Sequence, residues 1–488
     1  MLLKPELIKT LSKTILVLFV ILIPFAAFGA DGQSNTGAEE RYEVLPSEKE
    51  SSSGSDVQTA GLPVRDDFDW SRVDELFSEW DEPGSPGCVV GVIHKGELVY
   101  QQGYGEANLD HGIPITPETV FYIGSVSKQF AAAAVAIMAD KGMIDLDDDI
   151  REYIPEMPEY EEPVKVKHLV HHTSGVRDLY SVLNFAEMDV ANVISLDEKL
   201  EVIASQSDLN FTPGDEYLYS NGGYMLMTVL VERVTGKTLR EFTQENIFEP
   251  LGMENTHFHD NRHEIVPNRA LSYRKRNEEF VVSYLSNFEG VGPGGLYTTV
   301  GDMLKWDQNF YENRLEHSPN FNEIMHKKGV LNNGDTLDYA FGLRFGDHRG
   351  IKTVGHGGSF MGFRADYLRF PEQEFSVVVF SNLGNINPGN ISTSVADLYL
   401  EELFGEKIEK YEGTYVNPDH DTKCEIKKEN GTLKMERPVS PRGEMNHRGE
   451  KLFSVGGWRV EFYRDNNGEI AGFLVDTGRA RNVKYVRE

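Results

Sequence analysis

Residues 121–142 read FYIGSVSKQFAAAAVAIMADKG, and the rest of the chain is interpretable from what this stretch demands. Phe130, the alanines at 131–134, Val135, Ile137 and Met138 make a run that is apolar on every helical face. A helix apolar all round is a buried one. Gly142 after Lys141 is the expected stop. Ser125 and Lys128 stand three apart, so a helix beginning near Ser125 sets a hydroxyl and an amine on one face, Cβ atoms roughly 5–6 Å apart. A serine hydroxyl becomes a nucleophile when a neighbouring base takes its proton. A lysine is such a base once burial destabilises its charge. The positive end of a helix, with its free N–H groups, suits a developing oxyanion.

Outward from there, the chain has 488 residues, 40% of them hydrophobic, enough for two or three domains with a sizeable core. Its 78 acidic residues outnumber 48 basic ones, a net charge of −30. A surface of that sign repels phosphate backbones and argues against a nucleic-acid partner. Lys4, Lys9 and Lys13, the apolar run at 14–28, and the small residues Ala27, Gly29 and Ala30 order themselves like a bacterial export signal over residues 1–30. An uncleaved signal would instead anchor the protein to the membrane. After cleavage no stable membrane span is expected. Residues 31–65, rich in Ser, Gly, Glu and Asp, read as a disordered linker. Two cysteines, Cys88 and Cys424, are too few for a disulfide scaffold; they read as buried free thiols, with a single bridge between them in an exported protein as the alternative.

Val73, Leu76, Phe77 and Trp80 fall at helical spacing, and CVVGVIHKGELVYQQGYG reads as two strands about a Lys95-Gly96 turn. LDDDI lacks the alternate-residue ligands of a calcium loop and reads as an acidic turn. His168, His171 and His172 have no further ligand at a fixed offset, and no metal or other cofactor is expected. Residues 180–300 look helical and loop-rich. Ser195 with Glu198 and Thr238 with Glu241 are capping boxes, and Gly236 ends a helix. GVGPGGLYTT is a tight loop without the Gly-Lys-Ser/Thr end of a phosphate cradle. YAFGLRF, IKTVGH, FRADYLRF and FSVVVFSN are strand candidates. With the N-terminal pair they predict one antiparallel sheet built from both ends of a domain, flanked by helices, the middle a mostly helical insertion. After residue 406, seven short alternating segments (GTYV, CEIKK, TLKME, KLFSV, WRVEFYR, IAGFLVD, NVKYVR), with turns at Asn430-Gly431 and Asn467-Gly468, predict a small all-β barrel or sandwich.

Three stations follow in order: Ser125-Val126-Ser127-Lys128, Tyr219-Ser220-Asn221, and His356-Gly357-Gly358. A Ser-x-x-Lys motif followed by two later motifs is the pattern of β-lactamases and penicillin-binding proteins. On these, and on PGCVVGVIHKGELVY, LVHHTSGV, GGLYTTVGDM and GHGGSFMGFRADYLRFP, residues 70–400 resemble the serine β-lactamase-like superfamily. Within it the nearer likeness is to class C β-lactamases, D-alanyl-D-alanine carboxypeptidases, D-aminopeptidases and esterases.

The resemblance implies an α+β fold of the β-lactamase/transpeptidase type over 66–405, followed by the all-β module at 406–488. It implies that Ser125 forms an acyl-enzyme and that Lys128 and Tyr219 share the proton work, whichever is deprotonated acting as base. It places Asn221, His356, Gly358 and Ser359 at the substrate, with the backbone N–H groups of Ser125 and Ser359 as oxyanion hole. Many relatives carry Lys-Thr-Gly at the third station. His356 in its place is mostly neutral at pH 7, which fits peptidase and esterase branches better than a dedicated penicillinase. The expectation is an exported, periplasmic or extracellular serine hydrolase of a small amide, ester or peptide, D-amino-acid-containing and cell-wall peptides among the candidates. The alternative is a non-catalytic penicillin-recognising or peptidoglycan-binding protein of the same fold.

Overall fold

The computed structural model describes residues 64–488 apart from 66, 190–191, 284–289, 430–431, 450 and 466–467. The export signal, the linker up to residue 63, the Asn430-Gly431 turn and Asn467 lie outside the described residues.

A six-stranded antiparallel sheet joins two distant parts of the chain. The first part is a hairpin, β1 (Cys88–His94) and β2 (Glu97–Tyr104). Lys95 and Gly96 close it at φ 52° and 76°, the consecutive positive values of a turn whose twist matches its strands. The second part is a meander, β3 (Arg344–His348), β4 (Ile351–Phe360), β5 (Phe363–Phe370) and β6 (Phe375–Ser381). β6 pairs with β1, giving the order β3-β4-β5-β6-β1-β2. Both β1 and β6 are buried along their whole length. Strands covered on two faces read as unbroken apolar sequence, as CVVGVIH and FSVVVFS do. Val89, Ile93, Val378 and Phe380 face the core that holds helix α1 (Lys128–Asp140). Cys88, Val90, Val92, Val377 and Val379 face the opposite core, with Val395, Ala396 and Tyr399 of the helix Pro388–Tyr399.

Helix α1 is buried from Lys128 through Met138. It starts later than expected. A 3₁₀ turn, Gly124–Ser127, precedes it, so Ser125 stands ahead of the α-helix rather than in it. The chain leaves the short strand Phe121–Tyr122 through Gly124 at φ 54°, and that tight entry delays the α-helical ladder. Helix α2 (Asn221–Thr235) packs on α1 and ends at Gly236, φ 70°. Both capping boxes form as expected.

Other expectations change. The helix around Val73 is short, Ser71–Asp74, continued by a 3₁₀ turn, Glu75–Phe77. YAFGLRF is a strand only from Arg344 onward. A Cβ on Gly342 would lie 2.6 Å from the backbone nitrogen of Gln129, so this segment is a loop laid on the first turn of α1.

The all-β module is a closed eight-stranded barrel, from Gly413–Asn417 to Val483–Arg487. Tyr411, Tyr415, Phe453, Phe462, Phe473 and Tyr485 fill its interior. Eight strands leave about that much room. The eighth strand, absent from the sequence reading, is Gly443–Gly449. A helix, Glu401–Glu409, leads into the barrel and runs across the expected 405/406 boundary. Cys88 and Cys424 are buried and free. Among the described residues no helix is long and apolar enough to cross a membrane.

Candidate active site

The first and third stations meet through missing side chains. A Cβ on Gly124 would lie 2.6 Å from the nitrogen of Ser359, and one on Gly358 would lie 3.2 Å from the nitrogen of Ser125. Strand β4 and the Gly124–Ser127 turn can touch only because both positions are glycine. The contact sets the two backbone N–H groups of the expected oxyanion hole side by side.

Lys128 is fully buried, and its Nζ lies 3.1 Å from Ser125 Oγ, 2.8 Å from Asn221 Oδ1 and 2.8 Å from the carbonyl oxygen of Pro293. Burial pulls its pKa well below the ordinary lysine value; Asp178 opposes that shift and Arg344 reinforces it. A neutral amine has two N–H bonds and one lone pair. The carbonyl oxygens of Asn221 and Pro293 can only accept, so they take both protons. The lone pair is left facing the Ser125 hydroxyl.

Each partner of Lys128 is itself held. The Asn221 backbone N–H and its Nδ2 donate to Asp178 Oδ2 at 3.0 and 2.8 Å, which turns Oδ1 toward the lysine. Ser220 caps α2. Pro293 belongs to the glycine loop before the short strand Leu296–Thr298. A Cβ on Gly292 would collide with Thr228 Oγ1 and one on Gly294 with the Tyr122 hydroxyl. Gly295 N–H donates to that hydroxyl and Leu296 N–H to Ser127 Oγ. The second serine of the first station therefore anchors this loop.

Tyr219 presents its ring to Lys128 Nζ, 4.7 Å from the ring centre. Burial raises its phenol pKa, with the Ser125 hydroxyl pulling the other way. His356 is buried, and burial pushes its pKa down to about 3. It ends a directional chain of hydrogen bonds. Ser220 N–H donates to His172 Nδ1 at 3.1 Å, so His172 Nε2–H donates to Tyr339 Oη at 3.1 Å. His356 Nδ1 lies 2.6 Å from its acceptor, Gly357 O, so that nitrogen carries the proton and Nε2 accepts from Tyr339 Oη at 3.3 Å. The second and third stations are thereby locked together. Arg344, exposed on edge strand β3, sets its guanidinium 5.5 Å from the Tyr219 ring centre.

Ser125, Lys128, Tyr219, Asn221, His356, Gly358 and Ser359 thus converge on one place. Asp178, His172, Pro293, Tyr339 and Arg344 join them without having been singled out for it. Asp178, not singled out in the sequence, also caps the helix Leu179–Phe185. His172 was weighed only as a metal ligand. A backbone oxygen such as that of Pro293 has no residue-type signature.

Fold and site together define the β-lactamase/transpeptidase-like class, a sheet between helices with a half-buried serine beside a buried lysine, here followed by a barrel. The chain belongs to the beta-lactamase family, whose model matches residues 73–399. It is 29% identical over 302 residues to a D-aminopeptidase of Gluconobacter oxydans, a match covering 62% of this chain and 56% of that protein. It is 26% identical over 325 residues to penicillin-binding protein 4* of Bacillus subtilis, covering 63% and 70%. The chain spans about half the length of the D-aminopeptidases it matches. The octameric penicillin-binding protein homologue from Pyrococcus abyssi superposes with a TM-score of 0.61 at 23% identity, over 86% of this chain and 100% of that one. At that identity the likeness speaks for the fold alone.

Proposed function

We propose that the protein is a serine hydrolase that acylates Ser125 with a small amide, peptide or ester. The observation that carries this is the buried Lys128 Nζ, 3.1 Å from Ser125 Oγ and 2.8 Å from each of the carbonyl oxygens of Asn221 and Pro293. The Ser125 proton passes to Lys128 as Oγ bonds the substrate carbonyl carbon. The carbonyl oxygen takes the negative charge and receives hydrogen bonds from the N–H groups of Ser125 and Ser359. The directions of the two shifts support Lys128 as the base and Tyr219, a phenol kept protonated by burial, as the group that gives its proton to the leaving group. Lys128 then returns the proton to Tyr219. Water completes the cycle by cleaving the acyl bond.

His356 carries no charge near neutral pH, so Arg344 is the cation at the mouth of the site. This favours acyl donors with an anionic group beyond the scissile bond. The D-aminopeptidase relatives support D-amino-acid-containing substrates. The residue order in 1–30 supports action outside the cytoplasm, where a cell-wall peptide is within reach. A fluorophosphonate probe tests the reading. Labelling of the native protein at Ser125, lost in a folded Ser125→Ala variant, is expected. A native protein that stays unlabelled rejects it in favour of recognition without turnover. A panel of D-amino-acid amides, D-Ala-D-Ala peptides, short esters and nitrocefin, ranked by kcat/KM, then identifies the acyl donor.

A further inference from the structure

We propose that His257, His259 and Glu264 bind a divalent cation of the zinc class at a site separate from the Ser125 cluster. His257 lies on the short strand His257–Phe258 and His259 follows it, two residues on and therefore on the same side. Glu264 comes from the next loop. Its Oε2 is 3.9 Å from His257 Nε2 and 3.6 Å from His259 Nδ1, and one donor atom from each residue lies within 4.8 Å of the others. Ligands at about 2.0–2.1 Å from a tetrahedral zinc stand roughly 3.3 Å apart, so small side-chain rotations complete the geometry.

The second observation is independent of spacing. His257 Nε2 and both ring nitrogens of His259 are buried without a hydrogen-bond partner. Buried polar atoms are almost always paired, and the two of these nitrogens that face the Glu264 carboxylate, His257 Nε2 and His259 Nδ1, call for a ligand that accepts lone pairs. Two imidazoles and a carboxylate suit Zn²⁺ or Co²⁺, whereas Mg²⁺ and Ca²⁺ want oxygen alone. Arg240 holds Glu264 through paired contacts of 2.6 and 2.7 Å and reaches Asp260 at 3.2 Å. Such an outer partner orients a ligating carboxylate. Arg269 also bears on both rings, so the field of the site does not by itself attract a cation and direct ligation must hold it.

The site has a line to the lysine. His259 N–H donates to Gly295 O at 2.8 Å, in the loop whose Pro293 oxygen accepts from Lys128. The Tyr297 ring stacks 5.9 Å from His257 and meets His259 edge-on at 5.2 Å. A cation here braces that loop from behind.

The test uses the untagged full chain, stripped with a chelator and titrated with ZnCl₂ and CoCl₂ by calorimetry and visible absorption. One equivalent of Zn²⁺ is expected, with Co²⁺ giving the absorption of a tetrahedral nitrogen–oxygen site. His257→Gln and Glu264→Gln should each weaken Zn²⁺ binding by more than about tenfold, and substitution of the exposed His420 should not. For variants that fail to fold, X-ray absorption at the zinc edge of the loaded wild-type chain gives the same answer: two imidazoles and a carboxylate oxygen should ligate the ion. No stoichiometric binding, binding unmoved by both substitutions, or a ligand shell without two imidazoles overturns the proposal.

Discussion

The Cβ that Gly358 lacks would fall 2.0 Å from the carbonyl oxygen of Ile123. Strand β4 and the turn that bears Ser125 are thus in backbone contact, and the spacing of the two N–H donors depends on it. Gly358→Ala must push them apart. Losing one such donor costs roughly 10²–10³ in rate, and a loss of that size in the acylation rate of a folded variant is expected. An unchanged rate by stopped-flow would separate oxyanion binding from this contact.

Acylation requires Lys128 as the free amine. With its pKa drawn well below the ordinary value, the rate should climb with pH and level off well before the range where a solvated lysine titrates. Tyr219→Phe removes the proton donor and should lower acylation by roughly 10²–10⁴. A limb centred near pH 10 in the pH–rate profile would mean that Lys128 is charged at rest.

Tyr339 joins His172 to His356 through one hydroxyl. Tyr339→Phe keeps the ring and strands a donor on His172 and an acceptor on His356. Leaving a buried polar group unpaired costs about 1–3 kcal/mol, and urea unfolding should show a loss of that order. A variant as stable as the wild type would mean that the chain of bonds contributes nothing.

His356 titrates at about 3 in the fold and near 6.5 when unfolded. Between those values the unfolded chain binds the extra proton, so stability is intact above about pH 6.5, falls as pH falls, and stops falling from this group below about 3. By pH 5 the loss is about 2 kcal/mol. His356→Gln should abolish that share of the decline, measured as the difference in unfolding free energy between pH 7 and pH 5. Equal declines in both proteins would place the acid sensitivity elsewhere.

Arg344→Gln should raise KM roughly 10–100-fold for donors that end in a carboxylate, the range of a charge-assisted hydrogen bond. The matched amides should change little. Equal effects on both members of a pair would show that Arg344 shapes the site without reading charge.

What was legible in the sequence follows from what side chains do. Ser125 and Lys128 stood out because their chemistry requires those residue types, Tyr219 and Asn221 through the family resemblance, and β1 and β6 because burial on two faces leaves an unbroken apolar run. Residues that work through the backbone or through a partner were silent. Pro293 contributes an oxygen any residue has, and Asp178 acts on Lys128 from a distance, through its charge and by turning Asn221. Arg344 lies in YAFGLRF, a segment that becomes strand only at Arg344 because Gly342 lies against α1. The barrel strand Gly443–Gly449 was missed because GEMNHRG has a single large apolar residue, Met445.

The register that pairs Cys88 with Ser381 has a consequence for synthesis. While the chain emerges from the ribosome, the β1–β2 hairpin offers an unprotected apolar edge, and the strand that covers it has yet to be translated. Contacts so distant along the chain form slowly, and a bare edge in the meantime invites pairing with another chain. Nascent protein is therefore most exposed to aggregation before Ser381 is made, and holdase chaperones should bind the hairpin during that interval.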